Sequence, residues 1–365
     1  MLEYVRRSAR ISRYADVPFI TTLGRMVLGR LLFNRGPKEF DVFRFATKPV
    51  AQWRTYLPDA ERQLLQSAVS PPSARSMEEN KLLFWQRCVA HALPCAPIVG
   101  VIPNERTPVD LSMIPSLPVF PSTVALSTWA AQVGNFDGFA KPIGGGQGYG
   151  AFPFRVRDGA LVPSERHADA AQFFHECAAS RFPGGGYLLQ PRLIPHESLR
   201  PFMPGPGLGT IRIYSFLSAD DEVAIPFAGL RVPAAGATCD NFSYGALGVP
   251  IDIATGTLGT AVGITPEVPI SSSIPRHPES GAPFSGHQLS SWGDVVSLVR
   301  TAALVFRELP ALGWDVAICA DGPVLIETNW AFGTEFAERL TNRGWADDLR
   351  ASFARCRRWE ASVDA

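Results

Sequence analysis

The sequence has no CxxC pair, no histidine cluster, no apolar run long enough to cross a bilayer and no excess of charge of either sign. Each absence removes a class of function. The six cysteines, at 88, 95, 177, 239, 319 and 356, are spaced neither for zinc nor for a disulfide framework. With no signal peptide visible, they are expected to be free thiols in a reducing cytoplasm. His91, His167, His175, His196, His277 and His287 are scattered, which leaves no metal cluster and no Ser-His-Asp order. Lys plus Arg equals Asp plus Glu at 34 each, so no global basic field points to nucleic acid. Neither repeats nor low-complexity runs occur, and no HRD or DFG sequence of a protein kinase is present. Lysine is scarce too: Lys38, Lys48, Lys81 and Lys141 stand against thirty arginines. What remains is a 365-residue chain with ordinary globular composition, long enough for two or three packed units.

Near the C-terminus, residues 313–332 read GWDVAICADGPVLIETNWAF, two apolar strands around Asp321-Gly322, a strong hairpin signal. A three-residue loop centred on Asp321 sets position 315 opposite 327. Asp315, Glu327 and Asn329 then point one way and Val316, Ile318, Val324 and Ile326 the other. Three oxygen ligands on one face of a rigid element suit a hard cation such as magnesium. The same pattern also fits a hairpin whose polar face meets solvent. The apolar neighbours of Glu327, namely Val324, Leu325, Ile326, Trp330 and Phe332, favour the cation, because ionised carboxylates are seldom buried unless paired or metal-bound.

Magnesium that bridges phosphates calls for a phosphate cradle. Residues 139–154 read FAKPIGGGQGYGAFPF: a short strand ending in Lys141, five glycines at 144, 145, 146, 148 and 150, then a second strand. Glycine lets successive backbone N–H groups converge on an anion, and lysine adds a point charge. The order is wrong for a P-loop, in which lysine closes the run, and strand alternation at Phe152, Phe154 and Val156 is wrong for a dinucleotide-binding turn. Two readings stay open: a glycine hairpin closing over phosphates, and a flexible hairpin without a ligand.

A lysine before a glycine hairpin, together with a distant acidic hairpin, resembles the ATP-grasp superfamily. Lys81 in NKLLFWQRCVAHALPCAPIVG matches its early helical lysine, Lys141 the strand lysine, YLLQPRLI from Tyr187 the hinge strand, and Asp315, Glu327 and Asn329 the metal ligands. Within the superfamily the sequence is most similar to the sugar-transfer-associated group, related to alpha-L-glutamate ligases. The segments that carry this are GTIRIYSF from Gly209, GLRVP from Gly229, DNFSYGALGVPIDIATG from Asp240, and the terminal hairpin. The hinge holds Gln190 where many members have glutamate, and Thr210 precedes Arg212 where many ligases have an acidic residue.

The resemblance implies an α/β (α+β) ATP-grasp fold with two subdomains clasping ATP. It implies ATP and Mg2+ as cofactors, with Lys81, Lys141, Gly144, Gly145, Gly146, Gly148 and Gln190 around the nucleotide. Arg231 would meet the transferring phosphoryl group, Arg212 a substrate carboxylate, and Asp240, Asn241 and the Gly245–Gly248 turn would line the substrate side. By themselves, Arg212 and Arg231 also fit ordinary salt bridges, and the polar turns fit plain loops. The implied reaction is carboxylate activation for attack by an amine-type nucleophile, in a polysaccharide or glycoconjugate pathway. The alternative is a nucleotide-binding regulatory or scaffolding protein.

The expected organisation is an N-terminal helical extension (1–75), a glycine-loop subdomain (76–190) and a C-terminal subdomain with the metal hairpin (191–365). Ser70 to Ser73 reads as a linker, residues 77–91 return to helix-like spacing, and 102–122 reads as a proline-rich connection. Strands are expected over 187–193, 211–217, 223–230 and 249–253, and helices over 169–180 and 292–308. The first fifty residues hold ten Lys or Arg against four acidic residues. They fit an extension packed on the core with its arginines solvated; a weak peripheral contact with an anionic membrane fits as well.

Overall fold

The computed structural model describes residues 1–107, 117–146, 148–237, 240, 245–263 and 271–356, and for 76–79 the backbone alone. In chain order the elements begin with helices α1 (Leu2–Ala15), α2 (Phe19–Phe33), α3 (Pro37–Val42), α4 (Val50–Trp53), α5 (Asp59–Val69), α6 (Pro72–Glu79) and α7 (Lys81–Ala90). Next come β1 (Gly100–Ile102), α8 (Thr123–Val133), β2 (Phe136–Pro142), β3 (Phe152–Arg157), β4 (Ala160–Leu161), α9 (Ala170–Ala178) and β5 (Tyr187–Pro191). Then follow β6 (Ile211–Leu217), β7 (Val223–Val232), β8 (Leu247–Pro250), β9 (Ala261–Gly263) and β10 (Ser272–Ile274). The chain closes with α10 (Trp292–Val305), β11 (Ala311–Cys319), β12 (Gly322–Asn329), α11 (Glu335–Thr341) and α12 (Ala346–Arg355). Two compact units result: Pro72–His196 with Asp315–Asn329, and the remaining segments Met1–Pro71, Glu197–Trp314 and Trp330–Ala365.

The smaller unit is built on an antiparallel sheet in the order β1-β5-β2-β3-β4. Strand β3 alternates buried Phe152, Phe154 and Val156 with exposed positions, as its sequence pattern requires. These residues pack with Ala140, Tyr187 and Leu189 against Leu126 and Ala130 of α8 and Phe173 and Cys177 of α9. On the other face, Leu188 and Ile143 pack with Leu82 of α7.

In the larger unit, antiparallel strands run β10-β9-β8-β7-β6, and β11 lies beside β6. Tyr214, Phe216 and Phe227 form a core with Phe336 and Leu340 of α11, Leu349 and Phe353 of α12, Leu57 just before α5 and Val69 at its end. The N-terminal helices close over a second core of Ile11, Met26, Phe40, Phe45, Trp53 and Tyr56.

Several sequence expectations need correction. Ser70 to Ser73, read as a linker, does hold the division between the two units, at Pro71/Pro72, but without a loose loop: Ser70 is buried, and Pro72 starts α6, since proline suits the first helical turn, where no N–H partner is needed. Residues 77–91 form parts of two helices, because Asn80 leaves helical geometry and its Oδ1 accepts from the backbone N–H groups of Leu82 and Leu83, capping α7. The strand expected over 249–253 is Leu247–Pro250, where pairing with β7 ends. The N-terminal arginines are not simply solvated. Arg35 is buried, donating to the carbonyls of Trp53 and Tyr56 and to Glu39, while buried Asp41 takes both Arg7 and Arg10.

One buried carboxyl in the larger unit makes stability depend on pH. Glu338 on α11 is 1% exposed; its Oε1 accepts from the N–H groups of Leu57 and Trp345, and its Oε2 has no partner among the described residues. Burial pushes its pKa up to about 7, against the opposing pull of those two N–H donors. The native state therefore binds a proton that the unfolded state has released, so stability falls as pH rises from the ordinary glutamate range to about 7 and is flat above it. The total is roughly 2–4 kcal/mol. Glu338→Gln keeps the accepting oxygen and removes the charge. Its melting temperature should match wild type near pH 4.5 and exceed it at pH 8; an unchanged difference across that range would contradict this assignment.

Candidate active site

In the smaller unit, the start of α7 is fixed to the end of β2. Lys81 N–H donates to the Ile143 carbonyl at 2.9 Å, Asn80 bridges Gly144, and Lys81 Nζ donates to the Gly145 carbonyl. Lys141 pairs with Leu188 and Phe139 with Gln190 across β2 and β5. Directly paired residues project to the same side, so Lys141 and Gln190 share the sheet face that Leu188 turns toward α7. Lys141 Nζ lies 5.6 Å from the Phe139 ring centroid, a cation–π distance.

Gln190 Nε2 donates to the Ala96 carbonyl at 3.4 Å. That partner accounts for the departure from glutamate: an amide can donate to a carbonyl, whereas a carboxylate would face it with like polarity.

The glycine run is clamped at its ends and exposed in its middle. A Cβ on Gly144 would sit 2.1 Å from the Pro183 carbonyl oxygen, and one on Gly150, at φ +75°, 2.5 Å from the Phe182 ring. Tyr187 donates its hydroxyl to the Gly150 carbonyl at 2.9 Å. Gly145, Gly146 and Gly148 are exposed, and a Cβ on Gly146 would meet nothing within 4 Å. The support comes from a second glycine run, Gly184 to Gly186, that the sequence reading passed over. Its signal was FPGGG immediately before β5.

Hairpin β11–β12 carries Asp315, Glu327 and Asn329 in the same unit. The turn is Ala320-Asp321, and Gly322 follows at φ +116°, where other residues are strained. β12 is no bare edge: Leu325 N–H donates to Pro94 and Ala96 N–H to Leu325, each at 2.9 Å. Asp315 is 1% exposed, which removes the reading of a polar face in solvent at that position. The expected two-faced division also fails. β11 is buried on both faces from Ala311 to Ile318, and on β12 the buried positions are Leu325 and Thr328, while Val324 and Ile326 are half-buried.

Among the described residues no three His, Cys, Asp or Glu side chains converge as a metal site, so a cation here would depend on two carboxylates and the Asn329 amide. Asn329 Nδ2 is buried without a partner among the described residues. Amide oxygen and nitrogen exchange places on a half-turn, so an orphaned atom there fits a ligand oxygen aimed at a cation. The donor set is all oxygen, as magnesium prefers.

In the larger unit, Arg212 on β6 is opposite Gly229 on β7, and Arg231 is opposite Gly248 on β8. Register puts both arginines on one sheet face, the face where a Cβ on Gly229 would meet Phe336 and Leu340 of α11. Arg231 Nη2 donates to Thr210 Oγ1 at 2.5 Å, the Thr210 hydroxyl donates to Asp240, and Asp240 Oδ2 lies 3.4 Å from Arg231 Nε. The hydroxyl of Thr210 thus links guanidinium to carboxylate, a task an acidic residue could not perform without repelling Asp240. Asn241 lies outside the described residues, as do Gln147 and 108–116 of the proline-rich connection.

The five described cysteines are free, and no described helix is long and apolar enough to cross a membrane. None of the curated proteins compared matches the sequence. Similar solved structures include an N5-carboxyaminoimidazole ribonucleotide synthetase with ADP (12% identity, TM-score 0.38, covering 71% of this chain and 46% of that one). A biotin carboxylase–β,γ-ATP complex from Campylobacter jejuni is 11% identical (TM-score 0.46, 79% and 48%). D-alanyl-alanine synthetase A from Vibrio cholerae is 13% identical (TM-score 0.41, 78% and 66%). The chain thus spans 46% to 66% of these proteins' own lengths. A profile of the sugar-transfer associated ATP-grasp family matches residues 61–349. That span takes in both lysines, the glycine run, the paired arginines and the acidic hairpin, and the chain belongs to the sugar-transfer associated ATP-grasp family, with its mixed α/β fold.

Proposed function

We propose that the protein is an ATP- and magnesium-dependent ligase that activates a substrate carboxylate as an acyl phosphate and passes the acyl group to an amine or similar nucleophile. Family membership supports ATP-dependent ligation in general, and the family's association with sugar transfer supports a polysaccharide or glycoconjugate pathway. The observation that carries the proposal is the convergence of Lys81, Lys141, Gln190 and the exposed glycines on the α7 side of one sheet.

Magnesium held by Asp315, Glu327 and Asn329 would neutralise phosphate charge. Lys81 and Lys141 supply compact positive charges to the same phosphates, and the amides of the glycine run close over them as a lid that excludes water. Carboxylate oxygen attacks the γ phosphorus, the bond to the β-phosphate oxygen breaks and ADP leaves; the nucleophile then attacks the acyl carbon and expels phosphate. Arg212 holds the carboxylate and Arg231 meets charge developing on the transferring group, so the catalysis is positioning and electrostatics.

Lysine survives at 81 and 141 in a chain that otherwise uses arginine almost everywhere. Lys141→Ala should weaken ATP binding at least ~10-fold, about 1.4 kcal/mol. Lys38→Ala should do little. Lys48→Ala should also leave affinity unchanged, although Lys48 is buried against Asn342 and its loss should lower the melting temperature. Titration calorimetry that gave equal affinities for all three variants would remove the phosphate role of Lys141.

The engagement of Arg231 by Thr210 and Asp240 favours a second reading, a nucleotide-binding regulatory protein without turnover. Acid-stimulated ADP release with hydroxamate formation in hydroxylamine separates the two, because only a ligase makes an acyl phosphate.

A further inference from the structure

Helix α2 turns apolar side chains outward as well as inward. Its inner face buries Thr22, Met26 and Gly29. Outward, Ile20, Gly24, Val27, Leu28, Leu31 and Leu32 follow the i, i+4, i+7, i+8, i+11, i+12 pattern of one helix face. Ile20 is 81% exposed, Leu31 76% and Leu32 63%. A surface helix ordinarily places charge there, and a continuous apolar stripe of this kind marks an interaction surface. On α1, packed beside α2, Leu2 and Val5 are exposed as well.

The charge around the stripe is mostly positive. α2 contains no Asp or Glu; of its two charged residues, Arg30 is exposed at one border of the stripe, while Arg25, at the other border by spacing, turns inward to the carbonyls of Phe45 and Lys48 over the Trp53 ring. Of the neighbouring carboxylates, Asp41 is buried with Arg7 and Arg10, Glu39 pairs with Arg35 and Glu3 with Arg7, which leaves Asp16, exposed at the end of α1. Arg6, Arg13, Arg30 and Lys38 remain exposed. The stripe lies before the family-matched span, so it belongs to the extension rather than to the ligase region.

We propose that α2 docks this protein on an anionic lipid surface, lying in the plane of the interface with its stripe among the acyl chains and the nearby cations meeting the headgroups. With fifteen residues it is too short to span, and an apolar face edged by cations is the pattern of an interfacial helix. Charge decides between lipid and a second copy of the chain. A symmetric self-contact would set the same cations against each other, whereas anionic headgroups neutralise them.

The test is flotation of the full chain with vesicles of phosphatidylcholine alone or mixed 7:3 with phosphatidylserine, at 0.15 M salt. Binding should appear with the mixed vesicles, fall at least tenfold without phosphatidylserine, and weaken as salt rises. Leu31→Glu with Leu32→Glu should abolish it with the melting temperature unchanged, because both side chains are exposed. Arg30→Glu should weaken it and leave binding to neutral vesicles unaltered. The proposal is overturned if the mixed vesicles fail to bind the chain or bind the double variant equally. It is equally overturned if light scattering finds a dimer that the double variant dissociates while vesicles stay empty.

Discussion

Glu327→Ala and Asn329→Ala are each expected to reduce magnesium-dependent ATP turnover by at least ~100-fold, about 2.7 kcal/mol in the barrier, with an unchanged circular dichroism spectrum. The fold should survive because the strand is held by other groups. Leu325 is fully buried, and its backbone pairs with Pro94 and Ala96, while Glu327 and Asn329 are only half-buried. Asp315 is a poorer choice for this test, since at 1% exposure its removal also opens the interior of β11. Raised magnesium should restore part of the activity of Asn329→Ala, which keeps both carboxylates. Full turnover in both variants would remove the metal assignment.

The second large effect concerns Arg231. Hydroxamate trapping in Arg231→Ala should fall by ~3 kcal/mol or more in barrier terms, while ATP affinity changes much less. Such a split follows if the guanidinium meets charge that develops only during transfer. The contact with Asp240 supplies the control, because a purely structural arginine would act by leaving that carboxylate unpaired. Asp240→Asn relieves the unpaired charge, so the double variant Arg231→Ala/Asp240→Asn should recover stability without recovering trapping. Parallel loss of ATP binding and trapping in Arg231→Ala, both rescued by the second change, would reassign Arg231 to holding the β6–β7 sheet together.

Much of the fold was legible because strong local signals and tertiary demands agreed. Strand alternation at Phe152, Phe154 and Val156 appears as drawn, and the 211–217 strand has the expected ends. Residues with a choice of role were harder to read. Pro71-Pro72 fits a linker or a helix start, and it is both: the division between the units falls there, and Pro72 opens α6. Asn80 in a helical pattern is unremarkable until its side chain caps a new helix.

At the candidate site, the lysines, glycines and acidic hairpin could be named because their residue types are unusual for their surroundings. Packing against other segments could not be read in this way. Nothing in GWDVAIC says that both faces of β11 will be covered, and nothing near Gly144 says that Pro183 will press against it. In α2 the apolar residues run round most of the helix, and only burial tells the outward stripe from the core-facing side.

The most direct test of the ligase assignment is to incubate the protein with ATP, magnesium, hydroxylamine and the small molecules extracted from cells, then to compare hydroxamate formed with ADP released. Carboxylate activation predicts ADP release that depends on the extract and is matched one for one by hydroxamate, with both lost in Glu327→Ala. ADP released at the same rate with and without the extract, and no hydroxamate, would contradict the assignment and leave a nucleotide-binding protein in its place.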